Sequence, residues 1–311
     1  MRAALYSHNK ERSQIMRTIQ WRALACLGAL VVGTGSAQAE GVLDRIAKGG
    51  PLVIAHREAS IPFSYVQDGK PIGYAMDLCL KLADQVRRQT GMKDMPVQFL
   101  QVTPATRVEV VKTGKADLEC GSTTNNAARR KDVGFTLAHF ITGARMLVPA
   151  DSKIERLEDL THKKVVSTKD TTPLAALEQS NRARYLQMNI LTAPDHAAAF
   201  EMVQKHQADA FVMDDVLLAG LAASSDDPKA LKIVGRFLTT EPLAIMLPKD
   251  DEAFKKLVDD EMRRLISSGE INAIYDKWFI KPIPPARQPL DLPASYLLKD
   301  FWKYPTDQLP G

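Results

Sequence analysis

"RVEVVKTGKADLECGS", residues 107–122, decides the fold. Its first half is a short apolar-and-charged run that suits a helix. Gly114 supplies a turn, and "ADLEC" then reads as a buried strand that ends in small polar groups. Upstream, "PLVIAHR" (51–57) and "MPVQFLQV" (95–102) read as strands. Between them, "YAMDLCLKLADQVRRQTG" places Leu78, Leu80, Leu82 and Val86 at near-helical spacing, and Gly91 stops it. The opening third is therefore β-α-β-α-β, an alternation that implies a parallel sheet with helices packed on it. Polar side chains at the carboxyl end of such a strand sit where open α/β sheets bind ligands, so "CGSTT" running on to Arg129 reads as half of a small anion site.

The organisation recurs. "EVVKTGKAD" (109–117) and "EMVQKHQAD" (201–209) share Glu, Val and Ala-Asp at the same offsets, and each leads into a strand with a polar end, "LECGSTT" and "AFVMDD". Nine residues leave two readings open, an internal duplication or a helix-turn-strand unit repeated by chance. Either way two similar α/β lobes are expected. The second opens with "KKVVSTKDTTPLAALEQ" as strand, loop and helix, followed by "NILTAPDHAAAFEMVQ". A long amphipathic helix is expected over 252–267, and Pro282, Pro284, Pro285 and Pro289 then break regular structure, so the tail should wrap over the surface.

Residues 17–39 have a basic start, an apolar middle and Ala37-Gln38-Ala39 before Glu40, the layout of a secretory signal peptide cleaved after Ala39. Met16 opens a more ordinary signal than Met1. The apolar stretch falls short of the roughly 20 residues a bilayer span needs. Cys26 precedes most of that stretch, unlike a lipidated cysteine. The formal net charge of +4 comes from this leader: residues 1–39 hold five Lys/Arg and one Glu, and without them acidic and basic residues are equal in number. Clustered basic residues of the kind a nucleic acid would require are therefore not expected. Cys79, in a helix, and Cys120, at a strand end, can pair or remain buried thiols in a compartment that permits disulfides. No cysteine, histidine and carboxylate cluster has metal-ligand spacing, and no cofactor motif is present.

"HREASIPFSY", "GYAMDL", "ECGSTTNNAARR", "MDDVLLAG", "LPKDD" and "WFIKPIPP" follow one another in an order that resembles the glutamate/aspartate-binding proteins of bacterial amino-acid ABC importers. The resemblance spans the chain beyond the leader. It implies an α/β fold of the type II periplasmic binding protein kind: two Rossmann-like lobes joined by two crossover strands, near 140–148 and 235–243, with a ligand cleft between them. The expected division is 1–39 signal peptide, 40–143 first lobe, 144–239 second lobe, and 240–311 return to the first lobe with a C-terminal tail.

A zwitterion needs a cation for its α-carboxylate and an anion or carbonyl for its ammonium. Arg129 suits the carboxylate because its planar fork makes two charge-assisted bonds at once, with Ser122 and Thr124 adding hydroxyl and backbone contacts. Thr168 and Thr171 in "STKDTTP" sit in a strand-to-helix loop, where free N–H groups favour anions. Asp214 is the expected ammonium partner. By similarity to the family, Arg57, Arg107 and His196 converge on a side-chain carboxylate.

Each has a plainer alternative. Arg129, beside Arg130 and Lys131, suits a solvated basic turn, and Arg57 an exposed strand end. His196 suits an ordinary first-turn position. Asp214 suits a helix cap, although Asp215 capping while Asp214 faces the cleft is the arrangement chosen. Two departures from the family bear on the ligand. Pro104 stands where a serine is expected, three residues before Arg107, and removes a hydroxyl. Lys169 and Asp170 replace a Ser-Gly pair. Glu241, near the second crossover, reads as a hinge-region surface residue.

The resemblance implies a monomeric periplasmic receptor that closes on L-glutamate or L-aspartate and delivers it to an inner-membrane ABC permease, with no enzymatic activity. Three alternatives stay open: a receptor for another amino acid or a dicarboxylate, a sensor that hands its signal to a receptor, and a cyclohexadienyl-type dehydratase with Glu119 or His196 as proton source.

Overall fold

A computed structural model describes residues 40–285 and 288–307. The expected leader, Cys26 and both candidate start residues lie outside the described residues.

Helix α1 (Val42–Ala47) leads into β1 (Leu52–His56) and a small antiparallel sheet of β2 (Ala59–Ser60), β3 (Ser64–Gln67) and β4 (Lys70–Ile72). Then come α2 (Tyr74–Thr90), β5 (Val97–Gln101), α3 (Arg107–Lys112), β6 (Leu118–Cys120), β7 (Gly134–Phe135) and β8 (Phe140–Thr142). A second alternating series follows: β9 (Ala144–Pro149), β10 (Lys164–Thr168), α4 (Thr172–Ala183), β11 (Asn189–Ala193), α5 (His196–Gln204), β12 (Ala210–Asp214), α6 (Asp215–Ala223) and β13 (Leu231–Val234). The chain returns through β14 (Glu241–Leu243) and β15 (Met246–Leu247) to α7 (Glu252–Ser267), α8 (Glu270–Phe279) and α9 (Tyr296–Lys303).

Two five-stranded sheets result, ordered β5-β1-β6-β15-β7 and β11-β10-β12-β9-β13. In each, the strands read from the sequence are parallel: β1 with β5 and β6, and β10 with β11 and β12. One strand in each sheet runs against the others, β15 in the first and β9 in the second, and the edge strands β7 and β13 pair antiparallel with it. Between the sheets β8 and β14 run antiparallel as a two-stranded connection, with Thr142 opposite Glu241 and Phe140 opposite Leu243.

Helix α2 buries Leu78, Leu82 and Val86, the apolar face predicted from their spacing. Leu80 instead stays exposed, because i and i+2 lie on different sides of a helix. Gly91, at φ +72, ends the helix in the left-handed conformation typical of a C-terminal stop. Cys79 of α2 and Cys120 of β6 form a disulfide with Cα atoms 6.3 Å apart, which decides between the two alternatives for these thiols. Around the connection, Phe140 stacks on Phe279 at 4.9 Å, and Phe279 on Tyr275 at 4.3 Å. This aromatic packing gives the two crossing strands a rigid seat on the first lobe. The cleft-facing loops follow β1, β6, β10 and β12, so the fold brings four strand ends to one place.

Candidate functional site

The strand ends supply the charges. Arg57 directly follows β1 and is only 2% exposed, not the exposed strand end of the plainer reading. Its N–H donates to Ser64 Oγ at 2.9 Å, and its Nη1 is buried without a hydrogen-bond partner. Arg107 opens α3 just after a turn in which Thr106 N–H donates to Thr103 C=O, with Pro104 in the corner. It too is buried, and its Nε lacks a partner. Arg129 lies in a short 3-10 turn whose N–H is held by Asn126 Oδ1 at 2.9 Å, and its Nη1 donates to Thr124 C=O at 2.8 Å. The alternative of a solvated basic turn fits Lys131, which is exposed, and not Arg129.

Burial, and the repulsion of Arg107, draw the Arg57 guanidinium down to about 9 and that of Arg129 also to about 9. Both remain cationic at neutral pH, and both lack a full set of anionic partners. Arg107 is likewise lowered by burial, opposed by Glu119, Asp214, Asp170 and Glu241. Glu119 stands among the three arginines on β6. It is fully buried, with Oε2 accepting from Thr123 Oγ1 at 2.7 Å and Oε1 without a partner. A Cβ at position 121 would lie 2.4 Å from Glu119 Oε1 and 3.0 Å from the Arg57 side chain, which is why "ECGS" carries glycine there.

The second lobe faces these cations. Asp214, 3% exposed, ends β12, and its Oδ1 has no partner. Burial and the neighbouring Glu241 and Asp215 carboxylates push its carboxyl well above the usual range. The expected cap at Asp215 is corrected: Asp215 is the first helical residue of α6 and accepts the Thr142 hydroxyl at 2.6 Å. Asp214 occupies the capping position, but its side chain makes no cap bond. Thr171 caps α4, its hydroxyl donating to Thr168 C=O at 2.6 Å and accepting from Leu174 N–H at 3.3 Å. That hydroxyl is therefore committed to the helix start. His196 opens α5 with Asp195 as the cap, so it does occupy a first turn, yet it is 1% exposed. Its Nδ1 lies 2.9 Å from Thr168 Oγ1, and burial together with Arg57 and Arg107 keeps the imidazole neutral, well below its usual range.

Arg107, Ser122, Thr124, Thr171, His196 and Asp214 line one small cavity. Ser122 Oγ is 3.4 Å from Ser60 Oγ. Thr124 Oγ1 lies 3.1 Å from Thr172 Oγ1, a hydrogen bond that joins the lobes directly. Lys169 and Asp170 are exposed at the loop tip. The reading of Glu241 as a surface residue is also corrected: it is 3% exposed and accepts the Thr172 hydroxyl at 2.8 Å. Sequence reasoning missed Thr172 and misplaced Glu241. The available signal was the β8–β14 pairing, since it turns Glu241 inward opposite Thr142, but register between distant strands is not written locally. Among the described residues no group of His, Cys, Asp and Glu could hold a metal ion, and no helix is long and apolar enough to cross a membrane.

Of the seven buried side-chain atoms without a hydrogen-bond partner among the described residues, four belong to charged groups at this cleft: Arg57, Arg107, Glu119 and Asp214. Buried polar atoms are ordinarily hydrogen-bonded, so these four, of both signs, mark the cleft as a candidate binding site.

Residues 52–281 match the model of the bacterial extracellular solute-binding proteins, family 3. The chain is 41% identical over 270 residues to an L-glutamate/L-aspartate-binding protein of Pseudomonas aeruginosa, covering 86% of this chain and 89% of the relative. It is 37% identical over 288 residues to a glutamate/aspartate import solute-binding protein of Escherichia coli, covering 90% and 95%. Among solved structures it is similar to the ancestral amino acid-binding protein AncCDT-1, a precursor of cyclohexadienyl dehydratase, with a TM-score of 0.65, 28% identity, and 77% and 99% of the two chains covered. A two-lobed α/β fold with charged strand ends around a cleft, matched along most of its length, makes this chain a member of family 3 of the bacterial extracellular solute-binding proteins.

Proposed function

We propose that the protein is the periplasmic receptor of an ABC importer, closing its lobes on L-glutamate or L-aspartate and presenting the closed form to an inner-membrane permease. The observation that carries this reading is the polarised cleft: buried Arg57 and Arg107 and half-buried Arg129 on one lobe, and buried Asp214 on the other. In this reading Arg129 takes the α-carboxylate, while Arg57, Arg107 and His196 take the side-chain carboxylate. Asp214 takes the ammonium, which restores the charge that burial opposes. Ser122, Thr124, Thr168 and Thr171 shape and orient the remaining wall. The reading also takes a division into 40–143, 144–239 and 240–311, a secretory leader over 1–39 and a monomeric state.

Binding proceeds without turnover. A neutral His196 hydrogen-bonded to Thr168, and a Glu119 held among three arginines, suit fixed electrostatic complementarity more than proton transfer. The names of the relatives that cover most of the chain support transport.

The test is a calorimetric titration of the protein, stripped of carried-over ligand by unfolding and refolding, with L-glutamate, L-aspartate, L-glutamine and succinate. Binding confined to the two acidic amino acids is expected. Arg107→Ala should weaken them about tenfold or more and leave glutamine little changed, because a hydrogen bond to a charged group contributes about 1.5–3 kcal/mol. Equal losses for acidic and neutral ligands would remove Arg107 from side-chain recognition. Formation of product from prephenate or arogenate would overturn the receptor reading in favour of an enzyme.

A further inference from the structure

Glu241 is a buried carboxylate near the cleft to which the receptor reading assigns no role. It lies on the connecting strand β14, and its Oε2 accepts the Thr172 hydroxyl at 2.8 Å. A carboxylate can only accept, so the Thr172 proton is committed to Glu241. Thr172 Oγ1 is also 3.1 Å from Thr124 Oγ1, and with its own proton engaged it must receive that of Thr124. The donors therefore run in one direction, from Thr124 on the first lobe, through Thr172 on the second, to Glu241 on the connection.

The consequence falls on Thr124, which lines the cavity. With its proton directed to Thr172, its oxygen offers only lone pairs to anything bound beside it. It can take a hydrogen bond from an ammonium but cannot give one to a carboxylate. That reverses the part expected from the sequence, in which the Thr124 hydroxyl helps hold the α-carboxylate. Asp214, with Oδ1 unpartnered, lines the same cavity, and the Glu241 charge acts on it.

We propose that Glu241 is a specificity-determining positioning residue: by orienting the Thr172–Thr124 hydroxyl chain, it makes one pole of the cleft acceptor-only, so that an α-ammonium is required and a dicarboxylate of the same carbon skeleton is rejected. The inference rests on the amino-acid-receptor reading and names the group that reading must discriminate.

The test measures dissociation constants by calorimetry for pairs that differ only in the α-amino group: L-glutamate and glutarate, L-aspartate and succinate, L-glutamine and glutaramate. The wild type, E241Q, T172V and T172S are compared, with thermal unfolding as the check on folding. The wild type should favour the amino member. E241Q, which can donate as well as accept, and T172V, which frees the Thr124 proton, should shrink that preference by about tenfold. T172S keeps the hydroxyl and should retain the wild-type ratio. If E241Q does not fold, the contrast between T172V and T172S carries the same test. Equal losses for both members of a pair in the folded variants would show that Glu241 only holds the lobes together, and would overturn the inference. Wild-type binding of glutarate or succinate as tight as that of the amino acid would overturn it too. Preference for glutamine over glutaramate with no binding of acidic amino acids would defeat the proposed ligand and still leave the ratio test standing. Binding of no amino acid would defeat both.

Discussion

The two lobes use one helix-turn-strand unit for opposite electrical purposes. In the first, Lys115 and Ala116 N–H groups both donate to Val110 C=O, and Gly114 takes φ +70. In the second, Gln207 and Ala208 donate to Met202 C=O, and His206 takes φ +55 at the same offset. Glycine reaches that left-handed region freely, and histidine is among the residues that tolerate it. The aspartate closing each unit then ties the new strand to its parallel neighbour. Asp117 Oδ2 accepts Val53 N–H at 2.8 Å, and Asp209 Oδ2 accepts Lys164 N–H at 2.8 Å. Only beyond these points do the lobes diverge: β6 runs on to Arg129 and lies against Arg57 and Arg107, whereas β12 ends at Asp214. The shared unit builds the scaffold, and the few residues after it decide the sign of the charge.

The largest expected effect comes from erasing the negative pole. Asp214→Asn should weaken amino-acid binding by about thirtyfold or more, since removing one partner of a buried charge pair costs about 2–5 kcal/mol. Calorimetry showing unchanged affinity in the folded variant would mean that the second lobe contributes shape and not charge.

The next effect concerns the staple, which among the described residues belongs to the first lobe alone. Replacing Cys79 and Cys120 together by serine should lower unfolding stability by about 2–4 kcal/mol, because the link across 41 residues constrains the unfolded chain. Urea unfolding measures this. A loss spread evenly over both lobes, read by hydrogen exchange, would show that they unfold as one unit.

The last effect is a slope, small at any one step of pH. His139 packs against the rings of Phe63 and Tyr74, neither of its ring nitrogens has a partner, and burial draws its imidazole down to about 3. Below about pH 6.5 the unfolded chain takes up a proton that the folded chain refuses until about pH 3, so this stability is lost as the pH falls through that window. The share is roughly 1.4 kcal/mol per pH unit. His139→Phe should flatten the acid limb of the stability profile by about one proton, and an unchanged limb would place the titration elsewhere.

Much of this molecule is legible locally. The strands at 52–56 and 97–101, the helix over 74–90 and the long helix at 252–267 follow from apolar spacing and glycine stops. The residues around Ser122, Thr124, Arg129 and Asp214 stand out because polar groups at the ends of apolar strands are unusual. The short antiparallel strands β7, β14 and β15 carry no such signal, since two or three residues have no period to read. Glu241 was misread for the same reason: an acidic residue before a proline suits an exposed turn until a distant strand pairs with it.

The sequence by itself determined the alternation that makes two parallel-stranded lobes, the repeated unit within them, and the charges placed at their strand ends, because these depend on spacing along one segment. Tertiary structure alone decided that Cys79 meets Cys120, that Asp215 leaves the capping position to Asp214, and that Glu241 turns inward onto Thr172. Each of those outcomes depends on which distant backbones lie within bonding distance, and that is settled only when the lobes pack and the two connecting strands pair.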